Sequence, residues 1–295
     1  MRRLIVNADD LGLTSGINRA IAEAHARGIV TSATLMANSG AFNEAAALAR
    51  SLTGTTPHFS VGCHVVLVDG DPVLPAQRIP SLMQPGVQNG SHFRTALGDF
   101  AVASFRRKLQ PDEIEAEAAA QMQRLQTAGV ALSHFDTHKH VHMFPAVLRP
   151  LLRAARACGV RAVRNPFGQL WPLPLTDVLR RRGLWRRLGE LNLLRSFAAR
   201  FRHEVESYGL RTTDGSVAVL VTGVLDPGIF SKIVDGVPEG TWEFVCHPGY
   251  NDADLDKVRT RLRQSRVQEL ELLTSPEAKE TLRRGGIELI SYREL

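Results

Sequence analysis

Four short stretches of this chain carry carboxylates and imidazoles in patterns that could do chemistry. Asn7 to Gly12 reads NADDLG and sets two adjacent carboxylates, Asp9 and Asp10, directly after an apolar run. Val61 to Leu67 reads VGCHVVL, where His64 interrupts apolar residues and Gly62 leaves room for a close approach. His134 to His142 reads HFDTHKHVH, and in extended backbone positions 134, 136, 138, 140 and 142 would share one face. Val245 to Gly249 reads VCHPG and ends another apolar run on His247. Each stretch taken singly has a plain structural explanation, since an aspartate after a strand caps the next helix and a lone histidine in an apolar run is a core residue. Their recurrence is harder to explain by packing. Neutral imidazole is the commonest metal ligand, and one aspartate with two histidines, leaving coordination positions open, suits a catalytic rather than a structural metal site.

Strand ends are what must position these residues. Short β-rich runs recur at Leu4 to Asn7, Ser32 to Met36, Ser60 to His64, Leu132 to Asp136, Arg161 to Arg164, Val217 to Leu220, Trp242 to Cys246 and Glu288 to Ile290. Helical patterns fill the gaps. Ser15 to Arg27 repeats Ile17, Ala20, Ile21 and Ala24 at helical spacing before Gly28, Pro111 opens an acidic-first helix closed by Gly129, and Pro145 opens a third closed by Gly159. Alternation of this kind over 295 residues predicts an α/β fold with a parallel sheet, and a single (β/α) barrel domain over 1–295 fits the length better than an open sheet. In such folds catalytic groups collect where strands end, and all four stretches fall there. Two segments depart from the alternation: Val68 to Gln110, rich in proline and glycine, and Asn165 to about Gly215.

In this order, NADDLG, GCHVVL, HFDTHKHVH and CHPG resemble the YdjC-like carbohydrate deacetylase family, with the likeness running from Leu4 to Gly249. Within it, VGCHVVLVDGDPVLP (61–75) and RAVRNPF (161–167) look most like the branch associated with hopanoid biosynthesis. The resemblance implies a deformed (β/α) barrel of seven or eight strands, with an insertion at about 167–215 that compact members lack. It also implies metal-dependent removal of acetyl groups from N-acetylated sugars, with ligands at Asp10, His64 and His138 and with Asp9 as the base. Amide hydrolysis needs an activated water, a stabilised oxyanion and a proton for the departing amine. A divalent ion brings the pKa of water toward about 7 and polarises the carbonyl, so Asp9, beside Asp10, can take the water proton. His247 is the choice of general acid, with His140 and His142 as competitors. Arg164, at the fifth strand end, either orients Asp9 or the substrate or is an ordinary surface arginine. Imidazole ligands suit zinc while the family is usually described with magnesium, so one Mg2+ or Zn2+ ion is expected. No organic cofactor is expected, because the chain has no phosphate loop, dinucleotide fingerprint or Ser-His-Asp order. Two other readings share these residues: a deacetylase of soluble chito-oligosaccharides, and a multi-metal phosphoesterase that uses His134, His140 and His142 as further ligands.

Composition narrows the partners. The three cysteines, Cys63, Cys158 and Cys246, have no paired spacing, which argues against a disulfide framework and points to a reducing cytosol. The apolar run after Arg2 and Arg3 is too short for a signal segment, and no stretch is long and apolar enough to span a bilayer. The net charge of +6 is local rather than spread: residues 180–202 hold eight arginines against Glu190, a net +7, leaving the remainder at −1. Nucleic acid is therefore not an expected partner. In that segment Leu184, Leu188, Leu191, Leu194, Ala198 and Phe201 recur at spacings of three and four, the pattern of a basic amphipathic helix. Such a helix either packs on the barrel with its arginines solvated or docks on an anionic membrane surface. Docking would suit a lipid-linked sugar and a peripheral position on the inner face of the membrane.

Overall fold

The first strand lies at the centre of the sheet. In this computed structural model, which describes residues 1–56, 58–86, 92–168, 189 and 195–295, β1 (Arg2–Leu11) runs along β8 (Gly240–Cys246) on one side. Its other side pairs first with β9 (Ile287–Leu289) and then with β2 (Ser32–Leu35). Beyond β2 come β3 (Ser60–Val65), β4 (Leu132–Thr137), β5 (Ala162–Val163) and β6 (Arg211–Thr212), while β7 (Gly215–Val217) lies beyond β8. Every pairing is parallel. The two outer strands are joined by Thr213 and Asp214, and residues running on from β5 meet β7. Ser216 donates from its N–H to Phe167 O at 3.3 Å and from its hydroxyl to Asn165 O at 2.6 Å. The sheet is thus nearly closed, a deformed (β/α) barrel as the alternation predicts.

Helices cover the outside: α1 (Ser15–Ala26), α2 (Phe42–Thr55), α3 (Leu97–Phe105), α4 (Pro111–Thr127) and α5 (Pro145–Ala157) in the first half. The second half adds α6 (Ala198–Ser207), α7 (Pro227–Gly236), α8 (Ala253–Asp256), α9 (Gln264–Thr274) and α10 (Pro276–Arg284). The three helices expected from the sequence form where their end signals put them. Thr14 caps α1 by accepting the Ile17 N–H, and Pro111 and Pro145 open α4 and α5. Two strand expectations shift. The apolar run Val217 to Leu220 outlasts its strand, because Ala218 turns left-handed at φ 71 into a 3-10 turn over Val219–Val221. The run Glu288 to Ile290 becomes β9, which pairs only with Arg2, Arg3 and Leu4 of β1 and takes no place of its own around the ring. Of the basic segment 180–202, residues 180–188 and 190–194 lie outside the described residues, and its last turn belongs to α6, where Phe201 is buried.

Alternation along the strands separates two interiors. Val6, Ala8, Ala33, Leu35, Val61, Cys63, Phe135 and Phe244 join the large apolar core. The alternate residues are polar and just as buried: Asn7, Asp9, Ser32, Thr34, Ser60, His64, His134, Asp136 and Glu243. The barrel lumen is therefore a polar network. Its floor is an apolar patch in which Ile290 and Tyr292, after β9, meet Ile5 of β1 and Ala162 of β5, with the Tyr292 ring stacked on His134 at 3.6 Å. The Tyr292 hydroxyl donates to Glu243 Oε2 at 2.6 Å, so the plug is hydrogen-bonded as well as packed.

Gly62 makes room for this stack, since a Cβ there would lie 2.6 Å from His134 Cε1. Gly62→Ala should destabilise the protein by about 1–3 kcal/mol through overpacking, read as a lower urea midpoint. An unchanged midpoint would show that His134 can move aside freely.

Candidate active site

Both carboxylates of the NADDLG stretch reach the same barrel mouth, which a regular strand forbids because successive side chains face opposite ways. Asp9 follows the inward side of β1. Asp10 departs from it, because the register with β2 slips between Ala8 and Leu11 and Asp10 adopts φ 68, a conformation that costs a non-glycine residue about 1 kcal/mol or more. The turn is held from the helix side, where the Gly12 N–H donates to Asn18 Oδ1 of α1 at 2.7 Å.

Arg164 ties the lumen together. It is fully buried, so of its two expected roles the surface one is excluded. Its guanidinium forks onto Asp9, with Nη1 to Oδ2 at 2.8 Å and Nη2 to Oδ1 at 2.5 Å. It also lies 2.6 Å from Asp136 Oδ2 and 2.8 Å from Glu243 Oε1. Burial would raise the Asp9 carboxyl, but the charge and hydrogen bonds of Arg164 outweigh it and hold Asp9 far below the usual carboxylate range.

A triangle of ligand atoms stands next to this network. Asp10 Oδ1 lies 3.5 Å from both His64 Nε2 and His138 Nδ1, and the two nitrogens are 3.3 Å apart. This spacing matches adjacent corners of a coordination shell whose metal–ligand bonds are about 2.1 Å. His64 is oriented from behind by Asp136 Oδ1, 2.7 Å from Nδ1, which leaves Nε2 facing the triangle. Asp10 is held in the same way, its Oδ2 accepting Arg266 Nη2 at 2.5 Å. Burial would lower His64, yet Asp136, Asp9 and Asp10 outweigh it and raise it to about 9, so the pocket attracts positive charge. Four buried carboxylates, Asp9, Asp10, Asp136 and Glu243, face two buried guanidiniums, Arg164 and Arg266. Carboxylates thus outnumber guanidiniums around the triangle, a surplus that a bound cation would help to offset. A second trio, Asp9, His64 and Asp136, also converges, but Arg164 and the Thr34 hydroxyl already fill the space among them.

The histidine row does not continue as a strand. β4 ends at Thr137, and Lys139 and His140 take φ 56 and 54 within a 3-10 turn, so side chains expected on one face fan out. His134 lies beneath the site against Tyr292. His142 is fully buried with Nδ1 2.6 Å from the Thr137 hydroxyl, and it does not border the cleft described below. Of the two competitors for general acid, His140 borders the cleft and His142 does not. Among the described residues His134, His140 and His142 join no convergent set of ligand atoms.

His247 follows β8, its N–H held by Glu269 Oε2 at 2.6 Å and its Nε2 3.8 Å from Asp9 Oδ2. Burial, with Arg266 and Arg164, outweighs Asp9 and Asp10 and pulls His247 down to about 4. Burial also lifts Glu269 to about 7 against the His247 N–H and Arg266. Arg266 and Glu269, one helical turn apart on α9, escape a reading of the sequence because Arg266 sits among Arg259, Arg261 and Arg263 and looks like one more solvated arginine. Part of this network opens onto a cleft of about 860 Å³. Asp9, Asp10, His64, His138 and His247 form its polar end, while apolar Leu13, Met36, Leu97, Met143, Val219 and Leu262 line the rest together with charged Asp69, Lys139, Arg259 and Arg263.

The sequence pattern of the YdjC-like protein family matches residues 3–284. The chain belongs to the YdjC-like family. A Brevibacillus brevis relative named a carbohydrate deacetylase is 33% identical over 99% of both chains. A Proteus mirabilis relative named a chitooligosaccharide deacetylase is 31% identical over 99% of this chain and 98% of its own. Among solved structures, an Enterococcus faecalis protein provisionally named for cellobiose-phosphate cleavage superposes with a TM-score of 0.75 at 27% identity, covering 99% of this chain and 98% of that one. Across the YdjC-like fold described here, the ionic centre is Arg164. Arg164→Met should cost about 3–5 kcal/mol by leaving three buried carboxylates without the guanidinium they share, and Arg164→Lys should recover part of that loss. Equal urea midpoints for wild type and Arg164→Met would remove Arg164 from that role.

Proposed function

We propose that the protein is a metal-dependent hydrolase that removes acetyl groups from N-acetylated sugars. The observation that carries this reading is the triangle of Asp10, His64 and His138 standing beside Asp9 and His247 at the polar end of one cleft. The names of the full-length relatives support the carbohydrate substrate. Asp10, His64 and His138 would hold Mg2+ or Zn2+, which would polarise the acetyl carbonyl and acidify the attacking water.

The remaining chemistry belongs to the side chains. Asp9 accepts the water proton while Arg164 keeps it ionised and aimed. The proton then passes to His247, 3.8 Å away, and from there to the amide nitrogen as the carbon–nitrogen bond breaks, giving acetate and a free amine. Each acceptor holds the proton more tightly than the last: Asp9 lies far below the carboxylate range, His247 near 4, and an amine several units higher. His140, held near 3 by burial and Arg164, is a poorer carrier than His247 and contacts the sugar instead.

The sugar is carried on a lipid, an N-acetylglucosaminyl hopanoid or related glycolipid. The apolar part of the cleft lining, with Leu13, Met36, Leu97, Met143, Val219 and Leu262, and the likeness of segments 61–75 and 161–167 to the hopanoid branch support this, and the basic segment 180–202 would suit an anionic membrane surface. Soluble chito-oligosaccharides are the second reading, favoured by relatives of equal length that are named for them. Acetate release compared between an N-acetylglucosaminyl lipid and a chito-oligosaccharide separates the two, with faster turnover of the lipid expected.

Asp9→Asn should retain bound metal and lose turnover by about 100-fold or more, since the amide keeps the shape but cannot accept a proton. Activity within a few-fold of wild type would mean that the base lies elsewhere. Metal analysis of His64→Ala and His138→Ala, each checked for folding by circular dichroism, should find most of the bound metal gone. Full occupancy in both variants would exclude the triangle.

A further inference from the structure

Helix α3 is apolar on more than its buried side. Phe100, Ala103 and Ser104 are buried, yet Leu97, Val102 and Phe105 expose 39%, 51% and 61% of their surface, Phe105 with one edge against Phe144 at 5.6 Å. Among the described residues the only other large apolar side chain so exposed is Met1 at the chain start. Apolar surface scattered singly is ordinary, but three such residues on one nine-residue helix form a patch. At 100° per residue Leu97, Ala101, Phe105 and Val102 span an arc of about 140°.

Charge adjoins the patch. Arg106, Arg107 and Lys108 follow Phe105 directly, all exposed, and none has an ion-pair partner among the described residues. The only acid on α3 is Asp99. Basic residues after a helix complement its C-terminal dipole, yet that accounts neither for a triplet nor for the bare apolar face beside it. At the other end of α3, Leu97 lines the active-site cleft, so the patch is continuous with the mouth of the site.

We propose that the exposed face of α3, with Arg106, Arg107 and Lys108, seats the protein on an anionic lipid bilayer with the cleft mouth turned toward the membrane. Apolar side chains flanked by basic ones suit the boundary between headgroups and acyl chains. The inference rests on the surface alone and stands whether or not the reaction above is correct.

Vesicle co-sedimentation tests it without reading turnover. The wild-type protein should sediment with phosphatidylcholine vesicles containing phosphatidylglycerol, and should be released as salt rises. Val102→Glu with Phe105→Glu should weaken that binding by at least about tenfold while leaving the circular dichroism spectrum unchanged. Changing Arg106, Arg107 and Lys108 together to Gln should reduce binding to the level seen with phosphatidylcholine alone. Three results would overturn the proposal: wild type remaining in the supernatant at low salt, the glutamate variant binding as well as wild type, or a dimer in sedimentation velocity that Phe105→Glu dissociates.

Discussion

A single guanidinium among three buried carboxylates governs the interior of this barrel. Arg164 reaches Asp9, Asp136 and Glu243 together, and its charge holds Asp9 ionised out of water, where a lone carboxylate would take up a proton or resist burial. Each carboxylate then has a second duty. Asp136 turns His64, Asp9 stands at the cleft, and Glu243 receives the tyrosine that plugs the floor. The orientation of the ligand triangle, the position of the candidate base and the closure of the lumen thus share one electrostatic centre.

The end of β1 converts that centre into a site. A slipped register and a left-handed Asp10 send two neighbouring carboxylates to one mouth, where they are held by different arginines from distant parts of the chain. Asp9 takes Arg164 from β5's end, and Asp10 takes Arg266 from α9. The two aspartates therefore sit in different electrostatic settings although they are adjacent in sequence. One is braced beside His247 at the cleft and the other faces the imidazoles. α9 adds Glu269 to the backbone of His247, so the last third of the chain fixes the geometry of the first strand's active end.

Much of this was legible in the sequence because apolar runs ending on Asp or His mark strand ends, and parallel strands present those ends at one mouth. Asp9, Asp10, His64, His138 and His247 all border the cleft on that basis. What the pattern did not carry is contact across the barrel. Glu243 lies in a strand that reads as ordinary, and Arg266 lies in a run of arginines, so neither has a local signal. The row from His134 to His142 misleads for a related reason. Period-two spacing means one face only while the backbone stays extended, and two left-handed residues after His138 end that condition. β6 is two residues long, too short to show any period.

The central claim is that the barrel mouth was built around one divalent cation. A crystal soaked in Mn2+ or Zn2+ and measured at the metal's absorption edge tests it directly. The account predicts one anomalous peak in bonding contact with Asp10 Oδ1, His64 Nε2 and His138 Nδ1, with Arg164 still clasping Asp9. No peak at the mouth, or a peak among Asp9, His64 and Asp136 with Arg164 displaced, would contradict it.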